Sequence, residues 1–408
     1  MARAVAAEAT YLVTRDQGLL DAAKSIEDAL ELVVLRPMDL INRLDRMRAN
    51  DPYEPVALQG TELSQVSPSA DMHEDALAAL LNHGHGEKRF ELNSRLRPIL
   101  ADRDGHDVRI VQATNGQIVS GFARRVVDQR LEVPFIRVAP GTRGANAIAR
   151  HLVFEQRKYA ADRRLEEVHI IDPHASKNVF EVLKLEHFEG MDDEWICQVR
   201  TGLVGAGDID LAGPSTTEEA VRYESRCWPV KVTGAQIGNY LVPIKTSAAE
   251  ALFDTGLAER SLLPRQTALG LSREHVYYRS TENSRGITAG TRILWYVTGD
   301  SPIHSQGSLR AISQAAEVIE GPPRILHARF ERLGVYSLEQ VSKAADGNGQ
   351  VMAIRFVDTE VLERPIPVDD LKALWAEHGE HFFQPFCPTL VSEHMFDPIY
   401  RQSSFYAA

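Results

Sequence analysis

Three places along the chain combine residue types and spacing that could do chemistry. The run Gly141-Thr142-Arg143-Gly144-Ala145-Asn146-Ala147 lies between an apolar stretch and a helical pattern. A loop entering a helix there turns backbone N–H groups and the positive end of the helix dipole outward, which suits a phosphate-type anion. Glycine allows the left-handed backbone such a turn needs, and Arg143 adds a full charge. Next, His174, Ser176 and Asn178 follow the strand-like stretch 167–172, the position where open α/β sheets hold ligands. Of these, His174 is the best proton carrier, although a histidine in such a loop is more often simply solvated. Farther on, Tyr277 lies among Arg273, Arg279 and Arg292, with Trp228, Tyr240, Tyr278, Trp295 and Tyr296 nearby. Aromatics beside arginines suit base stacking and phosphate neutralisation, while aromatics in strands equally suit a barrel core. Of two histidine pairs, His83/His85 has no third partner at metal-ligand spacing, and His378/His381 has Glu377 and Glu380 beside it, a grouping that exposed faces also show by chance.

These residues need elements to hold them, and composition bounds what those are. At 408 residues the chain exceeds one ordinary core, so two or three domains are expected. A hydrophobic content of 44% with 25% charged residues is that of a globular protein. The three cysteines, Cys197, Cys227 and Cys387, are far apart and read as reduced thiols of a cytoplasmic protein, not as a zinc site. No apolar run is long enough to span a membrane, and the first residues lack a secretory pattern. The net charge of −12 argues against a dedicated nucleic-acid binder. Between 221 and 335, however, fourteen Lys/Arg face ten Asp/Glu, a local positive excess compatible with phosphate contacts.

Residues 1–49 alternate helix, strand (11–14), helix, strand (32–35) and helix, a parallel α/β pattern with too few strands to stand alone. After a polar stretch, 58–201 reads as a helical region to Leu100, strands at 108–112, 118–127 and 131–138, and a helix at 147–160. A strand at 167–172, a helix at 177–187 and a strand near 195–200 complete it. Residues 202–220 form a linker rich in Gly, Ser, Thr and Pro. Residues 221–408 are strand-rich, with strands expected at 228–232, 240–244, 276–279, 291–297, near 317–319, 324–330 and 351–357, and helices at 247–253 and 338–345.

The central order, an antiparallel meander followed by β-α-β-α-β, resembles the GNAT acyltransferase fold. The strings "LEVPFIRVAPGTRGANAIARHLV" and "EVHIIDPHASKNVFEVLKLEHFE" resemble its acyl-CoA strand, loop and helix and the strand and helix that follow. The string "AAEATYLVTRDQGLLDAAKSIEDALELVVLRPMDLINRLD" resembles the C-terminal part of a PIN nuclease domain. The C-terminal region is similar in layout to PUA-like barrels of the ASCH and EVE type, though the ASCH glycine–lysine–glutamate–arginine signature is absent. The fold class expected is thus multidomain α/β and α+β: a truncated PIN-like piece, a GNAT-like mixed sheet and a PUA-like β-barrel.

The GNAT resemblance implies that Ile136 and Val138 offer free backbone groups to the pantetheine arm of acetyl-CoA or another acyl-CoA. It implies too that Arg143, Gly144, Ala145, Asn146 and Ala147 receive the pyrophosphate. Two registers fit the family's glycines: Asn146 with Ile148, or Ala147 with Ala149 across a longer spacing. Aligning Phe188 with the family's closing phenylalanine puts Leu183 where the acid tyrosine belongs and His187 at a glycine. The proton would then fall to His174, Ser176 or Asn178. The PIN resemblance implies Mg²⁺ at Asp16, whose partner acids the sequence does not contain. The PUA-like resemblance implies an RNA or tRNA partner for Arg273, Tyr277, Arg279 and Arg292.

The reading that joins these expectations is an acyl-CoA-dependent N-acyltransferase acting on an amine of an RNA- or protein-linked substrate. The alternatives are a non-catalytic regulatory protein of the toxin–antitoxin or phage-defence kind, and a PIN-type nuclease whose start is misassigned.

Overall fold

The computed structural model describes residues 11–23, 26, 33–37, 63–68, 74–102, 104–113, 115–142, 144–191, 194–209, 217–253, 274–282, 286–298, 307–331, 333–380, 382 and 385–403. Near the N-terminus β1 (Tyr11–Val13) and β2 (Val33–Leu35) pair in parallel, connected through α1 (Gln17–Asp21). Ile26 and Val34 make a small apolar cluster there. The helices expected before Ala9 and after Leu40 lie outside the described residues.

The central unit runs β3 (Leu63–Val66), α2 (Arg89–Ala101), β4 (Asp107–Ala113), β5 (Ile118–Val127), β6 (Arg130–Val138), α3 (Ala145–Asp162), β7 (Glu167–Ile170), α4 (Lys177–Leu185), β8 (Glu189–Met191) and β9 (Glu194–Gln198). Its strands form one sheet in the order β3-β4-β5-β6-β7-β9-β8, antiparallel except for β6 beside β7. Helices α3 and α4 bury Ile148, Leu152, Val153, Val179 and Val182 against one face of the sheet. Helix α2 buries Leu92, Leu96 and Ile99 with Ile110 and Phe135 on the other. The spacing of those residues at three and four is why each helix shows the sheet a single apolar stripe.

The C-terminal region runs β10 (Leu203–Gly205), α5 (Thr217–Arg226), β11 (Lys231–Thr233), β12 (Asn239–Ile244), α6 (Thr246–Leu252), β13 (His275–Ser280), β14 (Arg292–Val297), β15 (Ser308–Gly321), α7 (Pro323–Phe330), α8 (Leu338–Lys343), β16 (Val351–Pro367), α9 (Val368–Glu377), β17 (Thr389–Val391) and α10 (Glu393–Ser403). Six of these strands form a sheet in the order β13-β16-β15-β14-β12-β17. Strand β14 is buried along its whole length: Ile293, Trp295 and Val297 enter one core and Leu294 and Tyr296 the other. That two-sided burial explains its unbroken apolar text.

Three expectations change. The stretch 324–330 is helix α7, not strand, because Pro322 and Pro323 stand at its N-cap and first turn, where fixed φ and a missing N–H favour helix entry. The linker expected at 202–220 begins as β10, paired in parallel with β11, while 210–216 lie outside the described residues. The expected barrel is an open order: among the described residues β13 pairs only with β16, and β17 only with β12.

Helix α3 also meets the C-terminal region. Arg150 bridges Glu186 (2.9 Å) and Glu274 (2.6 Å), and Glu274 in turn pairs with Arg355 (3.0 Å). Arg157 donates to the carbonyls of Ser225 (2.7 Å) and Arg226 (3.2 Å). Trp228 packs its ring on Phe154 at 4.6 Å and donates its indole N–H to the Asp358 carbonyl.

Candidate functional site

The gap between β6 and β7 begins where their pairing stops. Register runs from Arg130↔Glu167 to Val133↔Ile170, and a last bond joins the Ile171 N–H to the Val133 carbonyl. Among the described residues, strand β6 then continues to Val138 without a strand partner on this side. On its other side the register with β5 jumps from Ala123↔Phe135 to Arg125↔Glu132, so Val133 and Pro134 face the single residue Arg124. This bulge, at a proline with no N–H to lose, turns the next N–H groups of β6 over. Those of Ile136 and Val138 consequently point into the gap.

Both are already taken. Asp172 accepts the Ile136 N–H at 3.0 Å, and the Ser176 hydroxyl accepts the Val138 N–H at 3.4 Å. Asp172 also binds Arg137 through both carboxylate oxygens (2.6 and 2.9 Å), Arg95 (3.1 Å) and the His174 N–H (3.0 Å). Arg137 reaches on to both oxygens of Glu87 (2.6 and 3.0 Å) and to the Leu80 carbonyl. The side chains of Arg137, Asp172 and Glu87 are 0% exposed. Burial pushes the Glu87 carboxyl up, but Arg137 and the Asn82 N–H outweigh it and hold the group below its ordinary range. Burial works against the Arg137 charge too, and its two carboxylate partners more than offset that. Asn82 closes the rim by donating to the carbonyls of His174 and Ala175, each at 3.1 Å.

The glycine turn has the expected shape. Gly141 and Gly144 both have positive φ, 73° and 74°, and an added Cβ would meet nothing at either. Gly144 caps α3, whose first turn carries Ala145, Asn146 and Ala147. Arg143 lies outside the described residues. Ile148 and Ala149 are both buried in the core. Asn146 is engaged by the Asn178 side chain. The turn fits an anion, whereas the gap beyond it does not fit a pantetheine arm while Asp172 and Ser176 hold its N–H groups.

Of the proton-handling candidates, His174 is bonded through its backbone N–H and carbonyl, Ser176 through its hydroxyl and Asn178 through Asn146. Leu183 is fully buried and brings no hydroxyl. His187 adopts φ 63°, the left-handed conformation that explains a glycine at that position after α4.

Among the described residues of the expected nucleic-acid face, the side chains are turned largely toward the interior. Arg292 is 2% exposed and bound to Glu224 and Asn239, with Phe396 under its guanidinium. Arg279 is buried. Tyr277 donates to the Pro243 carbonyl and packs edge-on against Trp295 and Tyr336, and burial pushes its hydroxyl up. The two arginines are buried, and Tyr277 is half-buried against the core. Arg273 lies outside the described residues. Asp16 caps α1 by accepting the Leu19 N–H at 3.0 Å, and among the described residues no three His, Cys, Asp or Glu gather as metal ligands. A single exposed carboxylate does not fit Mg²⁺ phosphodiester chemistry. Among the same residues no helix is long and apolar enough to cross a membrane.

No family model and no curated protein matches the chain. Among solved structures it is similar to an ASCH protein from Zymomonas mobilis, 19% identical over 41% of this chain and 96% of that one, TM-score 0.31. It is similar also to the PaiA N-acetyltransferase of Thermoplasma acidophilum in complex with coenzyme A, 10% identical over 33% of this chain and 96% of that one, TM-score 0.27. A GCN5-related N-acetyltransferase from Sphaerobacter thermophilus is 19% identical over 31% of this chain and 44% of that one, TM-score 0.27. The scores are low, and the mixed α/β architecture with several sheets stands on the strand orders above.

The residues that decide the site, Arg137, Asp172 and Glu87, are absent from the expectations. A signal existed: Arg137 interrupts the apolar strand 131–138, and Asp172 ends the apolar strand 167–171. Opposite charges at inward positions of neighbouring strands mark a buried pair.

Proposed function

We propose that the central unit is a non-transferring scaffold of the acyltransferase type, in which the chain's own side chains occupy the place of the acyl carrier. The observation that carries this reading is the pair of bonds from Asp172 and Ser176 to the N–H groups of Ile136 and Val138. To free the Ile136 N–H, Asp172 must leave Arg137. Breaking one partner out of such a buried ion pair costs about 3–5 kcal/mol, comparable to the whole free energy of a millimolar ligand. No hydroxyl at Leu183 replaces the missing acid.

The second reading is the acyl-CoA-dependent N-acyltransferase, acting on an amine. It is supported by the divergence of β6 from β7 and by the glycine turn leading into α3. In that reading Asp172 and Ser176 swing away, the turn holds the anionic end of the carrier, and His174 takes the proton.

Calorimetry with acetyl-CoA decides between them. The scaffold predicts no heat at millimolar ligand for the native chain and a gain of binding in Asp172→Asn with Ser176→Ala. Binding by the native chain, followed by thiol release with an amine acceptor, would establish the transferase instead. An RNA or tRNA partner for the C-terminal unit would have to meet residues other than the buried Arg279 and Arg292. Filter retention of tRNA, compared at about 50 and about 200 mM salt, checks that partner. Equal retention by Arg279→Gln is the expected result if RNA binds at all.

A further inference from the structure

On the face of the central sheet away from α3 and α4, one histidine stands between two acids. Val168 and Ile170 enter the core beneath those helices, so His169, between them on β7, points the other way. Its Nε2 lies 2.8 Å from a carboxylate oxygen of Glu167 on the same strand, and its Nδ1 lies 2.9 Å from one of Glu194 on β9. The imidazole is 8% exposed, whereas the two acidic side chains are 37% and 46% exposed.

Both contacts are hydrogen-bond distances, and an ionised carboxylate only accepts. A neutral imidazole has one N–H and one lone pair. It answers one of these acids and then turns the lone pair toward the other. The imidazolium has two N–H groups and answers both, through charge-assisted bonds of the stronger kind.

The neighbouring cations do not serve these acids instead. Arg130 stands opposite Glu167 in the β6–β7 register, yet its guanidinium goes to Glu132 at 2.8 Å. Arg125 of β5 goes to the same Glu132 at 2.7 Å. Glu132 itself is opposite His169 on β6. On the β9 side Ile196 is opposite, with Glu189 of β8 beyond it. On α2, which covers the same face of the sheet, Arg95 is bound to Asp172 and Arg97 to Glu74. Among the described residues, His169 is the ion-pair partner that Glu167 and Glu194 share.

We propose that His169 holds both ring protons at neutral pH and clamps the edge hairpin β8–β9 to β7, and that this edge loosens as pH rises and the ring gives one proton up. The hairpin has few other ties to the sheet: β9 pairs with β7 over four residues, and its outer partner β8 is three exposed residues. The sign is single. The clamp is complete at neutral pH and is lost with one proton on the alkaline side. In acid it weakens only where the carboxylates themselves take protons, near about pH 4. Long-range proton–nitrogen NMR on the full chain, with isotope-labelled histidine, counts the protons on each ring nitrogen. The expected result is a proton on both nitrogens of His169 at about pH 7. In Glu194→Gln, a change at a half-exposed side chain, the second proton should leave at a lower pH than in the native chain. Amide exchange reads the same step in the backbone. Protection of residues 195–197 should fall by about fivefold between about pH 7 and about pH 9, the size of one partly exposed ion pair, and stay level in His169→Gln. Three results would overturn the proposal: a single proton on the ring at about pH 7, the same ring titration in Glu194→Gln as in the native chain, or parallel protection profiles in the native chain and His169→Gln.

Discussion

The two ends of the central sheet arrange buried charge differently. At the β6–β7 end, Arg137 and Arg95 meet Asp172, and Arg137 also meets Glu87, two cations with two anions. Arg137, Asp172 and Glu87 are wholly buried, and their bonds close the gap. At the β4–β5 end, Arg109 and Arg124 share Asp107, and Glu155 stands 3.7 Å from Arg124, again two cations with two anions, but beside an open cleft. One strand order thus carries a closed charge network at one end and a looser, solvent-facing one at the other.

The largest effect expected is at the shut end. Asp172→Ala leaves Arg137 fully buried with half its partners, and stability to urea should fall by about 3–5 kcal/mol. A loss below about 1 kcal/mol would mean that the network is not the closure described here. Arg124→Met at the open end should cost less, about 1–3 kcal/mol, because Asp107 keeps Arg109 and methionine still packs on Tyr159. Equal losses at the two ends would erase the contrast.

A smaller effect separates the ends by sign. The Glu87 carboxyl is held below the ordinary value of 4.5, so its contribution is present above that pH and is lost as pH falls through its folded value. The Glu155 carboxyl is raised above the same value, so its contribution is present below it and is lost as pH rises through its folded value. Urea midpoints measured across that range should therefore show Glu87→Gln losing ground to the native chain as pH rises and Glu155→Gln gaining it. Parallel curves for the two variants would contradict the assignment.

The framework of the central unit was legible because its strands and helices are local patterns. The strand at 118–127 carries the residues expected, and the helix at 147–160 is found with two more residues at each end. The positive φ of Gly144 was legible in the same way, since a glycine before a helix has few other uses. What the text hid depends on partners far apart. Arg137 finds Glu87 fifty residues away, and nothing local distinguishes it from an arginine at a ligand. Arg292, whose aromatic neighbours in sequence fit a nucleic-acid contact, is claimed by Glu224 on α5. Aromatic and arginine residues serve cores and surfaces equally, so their role is set by the register of the sheet and not by their neighbours in sequence.

Helix α3 belongs to two units at once. One stripe fills the central core, while Phe154, Arg150 and Arg157 fasten to Trp228, Glu274 and the end of α5. A helix shared in this way cannot melt with one partner and stay folded with the other. Heating should accordingly produce one cooperative transition for both units, with equal calorimetric and van't Hoff enthalpies. Trp228→Phe, which removes the indole bond to Asp358, should lower that temperature slightly without splitting the peak. What reads along the chain as a string of separable modules would then behave in the calorimeter as a single body.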